Sequence, residues 1–389
     1  MSTQKFDVII YGATGFTGRL VAEYLNQHYG KDVSWAMAGR SADKLASVRD
    51  EIGAPADTPL IVADAEDPAS LKAMAERAKA VITTVGPYQL YGEPLVKACV
   101  ESGTDYVDLC GEPAWMADII RDHDEAAKAS GARIVLSCGF DSIPFDLGVF
   151  FLQKHAKATV GKPLARVKGR VRSMKGTFSG GTAASFAETM KRAMTEPHII
   201  DLLKSPFALT PGFEGPKQPH GAKPIHEDDL NSWSAPFIMA AINTKNVHRS
   251  NALLDHAYGE DFVYDEMLLT GPGEKGEQVA NHVAADKSMS ENPPKPGEGP
   301  SKEEREAGFY EVMFTGLAEN GQRLTTSVYG DKDPGYGSTS KMITEAALAL
   351  VQDVDHDTTG GGVWTPGAAL GSALINRLEA NAGLTFKVE

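Results

Sequence analysis

The chain opens on an apolar run, Phe6-Asp7-Val8-Ile9-Ile10-Tyr11, followed by a glycine-rich turn and an amphipathic stretch from Phe16 to Tyr29. The same alternation then repeats. Short strand-like runs fall at 34–38, 60–63, 80–84, 106–109 and 133–137, with helical periodicity between them at 42–52, 68–77, 93–102 and 114–130. Short apolar strands separated by helix-length segments imply βαβ units, a parallel sheet buried on both faces and right-handed crossovers. Residues 1–145 are expected to form a doubly wound α/β domain.

After about residue 145 the pattern changes. Arg166-Val167-Lys168-Gly169-Arg170-Val171-Arg172 alternates with period two, as a strand with one wet face does. A helix is expected at about 183–194, and 205–236, rich in Pro, Gly and His, reads as irregular loop. The runs 309–317 and 323–329 flank Glu319-Asn320-Gly321, a hairpin signal. Residues 291–306, with Pro293-Pro294 and many charges, read as a mobile excursion. A final helix covers 338–352, with Ser338, Thr339 or Ser340 as its N-cap. Residues 146–335 thus suit an α+β domain on an antiparallel or mixed sheet, its long loops reading equally as a lid or as surface insertions. No internal repeat is visible.

Composition narrows the function. The chain has 389 residues, and 38 Lys and Arg against 52 Asp and Glu leave a net charge of −14. That argues against a nucleic-acid surface, which needs a basic face, but not against a nucleotide site, where a few amides and one Arg hold a phosphate. No run approaches the ~18 apolar residues of a membrane span, and no signal peptide is visible. A cytoplasmic protein is the default expectation; peripheral membrane association has little support beyond apolar runs such as 149–152, which a core helix explains. Cys99, Cys110 and Cys138 are odd in number and never CxxC-spaced, so they read as buried small hydrophobes. His220 and His226 lie near Glu227, Asp228 and Asp229 in a Pro/Gly-rich stretch too loose for a ligand set, and no metal is expected.

The sharpest motif is Gly12-Ala13-Thr14-Gly15-Phe16-Thr17-Gly18, placed after the first strand and opening the first helix. In such a turn Gly12 permits the bend, Gly15 lets backbone approach a pyrophosphate and Gly18 lets helix pack close to strand, with Thr14, Phe16 and Thr17 completing the cradle. The helix N-terminus offers free N–H groups and a partial positive charge to the anion. A dinucleotide site that prefers NAD usually carries Asp or Glu at the tip of the second strand. Here Gly39-Arg40-Ser41 stands there instead. Arg40 offers a planar fork for a 2′-phosphate, with Ser41 as a second donor. Asp64, after the third strand, suits either the adenine edge or a turn cap.

The carboxyl ends of parallel strands are where ligands lie in open α/β sheets. That brings Gly86, Pro87 and Tyr88 toward the nicotinamide half of a dinucleotide, together with Tyr106, Asp108, Gly111 and Glu112 and with Cys138-Gly139-Phe140-Asp141-Ser142. Tyr88, Tyr106 and Ser142 are the candidate proton donors, and Asp108, Glu112 and Asp141 the candidate orienting or relay groups. Asp141 and Ser142 equally suit the N-cap of a helix from Ile143. Ser179-Gly180-Gly181-Thr182, ahead of a helix, reads either as an anion-binding turn or as a tight connection.

Gly12–Gly18 with Arg19, Ala38-Gly39-Arg40, Val85-Gly86-Pro87-Tyr88, Tyr106-Val107-Asp108-Leu109-Cys110-Gly111-Glu112 and Gly139-Phe140-Asp141-Ser142 occur in this order. Together they resemble the saccharopine dehydrogenase-like oxidoreductases, especially their trans-acting enoyl reductase branch. Ser179-Gly180-Gly181-Thr182, Asp333-Pro334-Gly335-Tyr336 and Gly361-Gly362-Val363-Trp364-Thr365-Pro366 extend the resemblance over nearly the whole chain. It implies an NADP-binding Rossmann domain, an α+β domain for substrate and dimerisation, and a helical C-terminal segment, 336–389, returning to the first domain. It also implies NADP(H)-dependent reduction of a C=C or C=N bond, in one branch on lipid intermediates. The expected partners are a small-molecule or lipid-like substrate and a second copy of the chain. No Arg cluster typical of an amino-dicarboxylate site is visible. Two alternatives stay open: an amino-acid-adduct (saccharopine-type) dehydrogenase, and an NADPH-binding regulatory or scaffold protein without turnover.

Overall fold

The structure, a computed structural model, describes residues 5–177, 180–286 and 299–389. The first part alternates strand and helix: β1 (Phe6–Tyr11), α1 (Phe16–Tyr29), β2 (Trp35–Gly39), α2 (Ala42–Glu51), β3 (Leu60–Val62), α3 (Pro68–Ala75) and β4 (Ala78–Thr83). It continues through α4 (Tyr88–Tyr91), α5 (Glu93–Ser102), β5 (Asp105–Val107), α6 (Pro113–Ser130), β6 (Arg133–Val135) and α7 (Ile143–Val160). A seven-stranded sheet results, in the order β13-β6-β5-β4-β1-β2-β3, where β13 is Gly362–Trp364. Every pairing in it is parallel. The strands are buried on both faces, Val8, Ile9 and Ile10 of β1 completely, which is why they read as apolar runs rather than as alternation.

The second sheet is mixed. It consists of β7 (Arg166–Lys175), β8 (Ile225–Glu227), β9 (Ser232–Pro236), β10 (Val263–Gly271), β11 (Phe309–Leu317), β12 (Arg323–Gly330) and β14 (Leu384–Val388), in the order β14-β12-β11-β7-β10-β9-β8. Only β7 and β10 pair in parallel; the other neighbours are antiparallel. The β11–β12 hairpin turns at Gly321, with φ of 81°. Helices α8 (Gly180–Thr195), α9 (His198–Lys204), α10 (Ala240–Leu253), α11 (Gly273–Ala285) and α12 (Lys302–Glu306) accompany this sheet. The chain then runs through a π-helical turn, Pro334–Ser338, into α13 (Thr339–Gln352), α14 (Pro366–Ala369) and α15 (Gly371–Arg377). No helix among the described residues is long and apolar enough to cross a membrane.

The C-terminal segment is stitched into both sheets, with β13 beside β6 and β14 beside β12. Its helix α13 is held to α1 by Glu345, which accepts from the Tyr24 and Tyr29 hydroxyls at 2.7 and 2.6 Å and from Arg377 at 2.9 Å. At the far end of α13, Arg133 of β6 donates to the carbonyls of Leu350 and Val354 at 2.7 and 2.6 Å. A cation there satisfies orphan carbonyls and complements the helix dipole. The same guanidinium pairs with Asp105 of β5, and both side chains are buried.

Three local expectations change. The stretch 205–236 is not all loop, because β8 and β9 pair within it. Helix α10 gives no amphipathic signal, since its buried residues include Asn243, Lys245, Asn246, His248, Arg249, Ser250 and Asn251. The 338–352 helix is not capped by Ser338, Thr339 or Ser340. Asp333 instead accepts from the Tyr336 and Gly337 amides one turn earlier, at 2.9 and 2.8 Å. Ser338 meets the Tyr310 hydroxyl, and Thr339 donates to the Pro334 carbonyl. Of the 291–306 excursion, 291–298 lies outside the described residues. Its described part forms α12 with a Ser301–Glu304 capping box, and Arg305 lies over the Phe16 ring, 5.5 Å from its centroid.

Asp105→Ala would strand a buried Arg133, so a loss of about 3–5 kcal/mol is expected in equilibrium urea unfolding. A loss near zero would show that the pair does not hold the sheet to α13.

Candidate functional site

The loop between β1 and α1 is built on close backbone contact. Gly12 has φ of +89°, and a Cβ on Gly18 would lie 2.1 Å from the Gly12 carbonyl oxygen. No side chain caps α1 at Gly15, and no acceptor among the described residues takes the Phe16, Thr17 or Gly18 amides. Those donors and the helix dipole suit a pyrophosphate, so the residues present fit a dinucleotide. Thr14 sits against Gly39 at the end of β2.

Arg40 is exposed at the tip of β2 and forms no hydrogen bond or ion pair among the described residues. It lies near Tyr11 and Asp64: burial and the Asp64 carboxylate push the Tyr11 phenol up to about 12, while Arg40 pulls it down. Ser41 caps α2, accepting from the Lys44 amide at 3.3 Å. Asp64 closes its own turn by accepting from the Glu66 amide at 3.1 Å. Arg40 is therefore the cation at this end with its charge free for a phosphate.

At the other end of the loop lies a cavity of about 480 Å³. Its wall runs from Gly15, Phe16 and Thr17 past Thr84, Gly86 and Tyr88 to Gly139, Phe140 and Asp141, and is closed by residues of α8, α10 and the Pro334–Ser338 turn. Of the rim positions expected from the sequence, Gly86 and Tyr88 line it and Pro87 does not. Met174, Leu203, Phe237, Ile238 and Ala241 also line a second, outer cavity of about 1030 Å³, which extends beneath the 214–222 loop.

Buried Glu112 shapes this wall. Its Oε1 accepts from the Tyr88 amide at 2.8 Å and the Ser185 hydroxyl at 2.6 Å, and its Oε2 from the Gln89 amide at 2.8 Å. The N-terminus of α4 is thus filled by the protein's own carboxyl. Burial raises the Glu112 pKa, and these hydrogen bonds oppose the rise.

Of the three hydroxyls expected to deliver a proton, Tyr88 and Tyr106 already donate within the protein, and Ser142 is buried and does not line the cavity. The Tyr88 hydroxyl donates to the Thr83 carbonyl at 3.2 Å and accepts from the Leu109 amide at 3.0 Å. Its ring packs on Trp115, with centroids 5.6 Å apart. Tyr106 is fully buried and donates to Asp108 at 3.0 Å. Ser142, also fully buried, accepts from Asn246 at 2.8 Å and occupies the N-cap position of α7 without a side-chain cap bond. Burial lifts both phenols well above their ordinary range. In this structure the Tyr88 and Tyr106 hydroxyls hold the wall together. Asp108 does likewise, accepting from the Cys110 and Ser137 amides.

Asp141 differs. It lines the cavity, its Oδ1 is buried with no donor, and burial pushes its carboxyl up to about 7. Behind it Glu266 of β10 accepts from Asn243 and from the Tyr264 hydroxyl, both at 2.9 Å. Glu266 and Asn243 were not singled out from the sequence, because they come together only when β10 and α10 pack.

The remaining candidates have other tasks or lie elsewhere. Glu227 is paired with Arg170 at 2.6 Å and Lys168 at 2.8 Å, and His226 meets Asp228 at 2.8 Å. Among the described residues no cluster of three or more His, Cys, Asp or Glu could hold a metal ion. The three cysteines are free and buried. Ser179 lies outside the described residues; Gly181 and Thr182 line the cavity.

Comparison with known proteins places this geometry in a family context. Residues 8–135 match the saccharopine dehydrogenase NADP binding domain. A protein of Mycobacterium tuberculosis H37Rv, provisionally named a trans-acting enoyl reductase, is 42% identical over 99% of this chain and 97% of its own length. The trans-acting enoyl reductase of Mycobacterium ulcerans is 37% identical over 96% of each chain. Among solved structures, apo saccharopine dehydrogenase (L-Glu forming) from Saccharomyces cerevisiae superposes with a TM-score of 0.57 at 11% identity, covering 98% of this chain and 99% of its own. This last likeness shows the fold.

Four buried carboxyls give the folded protein a definite pH response. Burial raises Asp108, Asp141 and Asp146 to about 7 and Glu266 to about 8. Each binds a proton in the folded state that the unfolded chain releases near pH 4, so its contribution is complete below about 4 and is lost as pH rises through about 7 to 8. His248, held neutral in the fold down to about 3, acts oppositely but as one group. The melting temperature is therefore expected to fall between about pH 5 and about pH 8 in calorimetry; a constant or rising value would contradict these protonation states.

Proposed function

We propose that this chain, which belongs to the saccharopine dehydrogenase-like family of NAD(P)-dependent oxidoreductases in its trans-acting enoyl reductase branch, reduces a conjugated C=C bond on an apolar, lipid-like acyl substrate and prefers NADPH to NADH. The observation that carries the reading is the composition of the inner cavity. Asp141 is its one carboxyl, and no Arg, Lys or His lines it among the described residues. An amino-acid adduct carries carboxylates that call for bidentate cations, and among the described residues neither cavity has an Arg in its wall.

The outer cavity has a mixed wall, with Lys204, Lys217, His220 and Glu214 among its polar residues and an apolar side as well. Phe207, Phe237, Ile238, Leu268 and Val283 line it, giving an acyl chain somewhere to lie while its reactive end reaches the rim of the parallel sheet. Lys245 belongs to that wall, but its ammonium donates to the Leu203 and Ala241 carbonyls, each at 3.0 Å. Burial lowers it to about 8.

NADPH, when bound, supplies the hydride. The chain's own residues do the rest. The Phe16, Thr17 and Gly18 amides hold the pyrophosphate, Arg40 takes the 2′-phosphate, and the wall from Thr84 to Tyr88 orients the reacting end. The apolar side chains of the inner cavity keep water from the reacting end of the substrate.

Two measurements test this. In a fluorescence titration NADPH should bind at least tenfold more tightly than NADH, and Arg40→Ala should narrow that gap; a tenfold gap corresponds to about 1.4 kcal/mol. Equal affinities would remove the 2′-phosphate assignment. With NADPH, turnover should appear on medium-chain α,β-unsaturated acyl thioesters and not on saccharopine-type adducts, and the reverse pattern would replace the enoyl reading by the adduct one.

A further inference from the structure

The reduction needs a proton as well as a hydride, and the Tyr88 and Tyr106 hydroxyls already donate within the wall. Asp141 stands where such a donor is required. It follows β6 at the carboxyl edge of the parallel sheet, lines the inner cavity beside Gly139 and Phe140, and opens α7.

Its surroundings favour the neutral acid. Oδ1 is buried and receives no hydrogen bond, and an anion left in that state loses solvation that nothing replaces. The Oδ1 atoms of Asn243 and Asn246 on α10 are also buried without donors, so the neighbourhood is rich in acceptors. No cation pairs with Asp141 among the described residues. Lys245 of α10 is spent on two carbonyls, and Asp265 of β10 engages Arg166 and Arg170. Glu266 of β10 is the carboxyl electrostatically coupled to Asp141, and two neighbouring carboxyls resist carrying two negative charges.

We propose that Asp141 is the proton donor of the reduction, acting as a neutral carboxylic acid at the wall of the inner cavity. This rests on the enoyl reading above. Bound NADPH would supply a hydride to the carbon β to the activating carbonyl, its C–H bond breaking to leave NADP+, and this chain's part is the proton. The π electrons take the Asp141 proton at the α carbon, the double bond is lost, and Asp141 is left as carboxylate. Water entering through the outer cavity, whose wall includes Glu266, returns the proton.

The test uses the full-length protein and has a readout that needs no turnover. Infrared difference spectra of wild type should show protonated carboxyl absorption that fades as pH rises through about 7 to 8, and Asp141→Asn should lose one component of it while the Asp108, Asp146 and Glu266 components remain. The same variant should bind NADPH within a few-fold of wild type, which certifies its fold. With a medium-chain α,β-unsaturated acyl N-acetylcysteamine thioester as probe, its turnover should fall about 10²–10⁴-fold. Wild-type turnover should decline above about pH 7, because the acid must be protonated to act. An Asp141→Asn protein that keeps the wild-type carboxyl absorption in full, or that turns over the probe at the wild-type rate, would overturn the assignment. Failure of the enoyl reading looks different: wild type leaves the probe untouched while the Asp141 band persists, which supports the neutral acid and removes the substrate class.

Discussion

The site depends on one buried carboxyl whose hydrogen-bonding capacity is spent inside the protein. Glu112 gathers two amides of the α4 turn and a hydroxyl of α8 onto its two oxygens. It thereby fixes the connection after β4 against a helix from the other half of the chain. Gln89 adds a bond from its side chain to Thr189 of α8 at 3.0 Å. Without a carboxyl there, the buried Tyr88 amide would lack its acceptor, a cost of about 1–3 kcal/mol, and the half-buried Gln89 amide would lose its own. The inner cavity is the space this clamp leaves between the parallel sheet and the second sheet's helices. The glycine loop at one side and the Pro334–Ser338 turn at the other complete its walls.

A cavity made in this way is dry on most of its surface, and that governs its chemistry. Buried phenols and thiols are driven away from ionisation: Tyr88, Tyr106, Cys110 and Cys138 are all shifted well above their ordinary range by desolvation. Carboxyls in the same setting become weak acids near neutrality, the range in which a proton can be both held and released. The phosphate end is the reverse case, with open amides and an exposed guanidinium in a protein whose net charge is −14. The cation there is local, and the field of the whole molecule does not supply it.

Much of this was legible in the chain. The parallel sheet could be read because its central strands, such as β1 and β2, are buried on both faces. The phosphate loop could be read because Gly12 and Gly18 answer to local backbone geometry, which spacing reports directly. The β11–β12 hairpin was visible from Asn320-Gly321. Helix α10 was not visible, because its buried side chains are polar and partnered by distant segments, such as Asn246 with Ser142 and Ser250 with Asp146. The proton donors expected from the sequence illustrate the same limit. Tyr88 does line the rim, yet its hydroxyl is claimed by Thr83 and Leu109, partners that depend on how two strand ends meet. Asp141 was one of three candidate orienting or relay groups, with Asp108 and Glu112, and was also read as an N-cap residue; what separates it from those two carboxyls is the absence of a donor at Oδ1, a property only the packed structure reveals.

The most direct test of the account is a crystal structure of the protein grown with NADPH. The account predicts the 2′-phosphate within hydrogen-bonding distance of Arg40 and the nicotinamide ring inside the cavity bounded by Gly86, Tyr88, Gly139 and Asp141. A nicotinamide ring outside that cavity, or a 2′-phosphate held by other residues with Arg40 left in solvent, would contradict it.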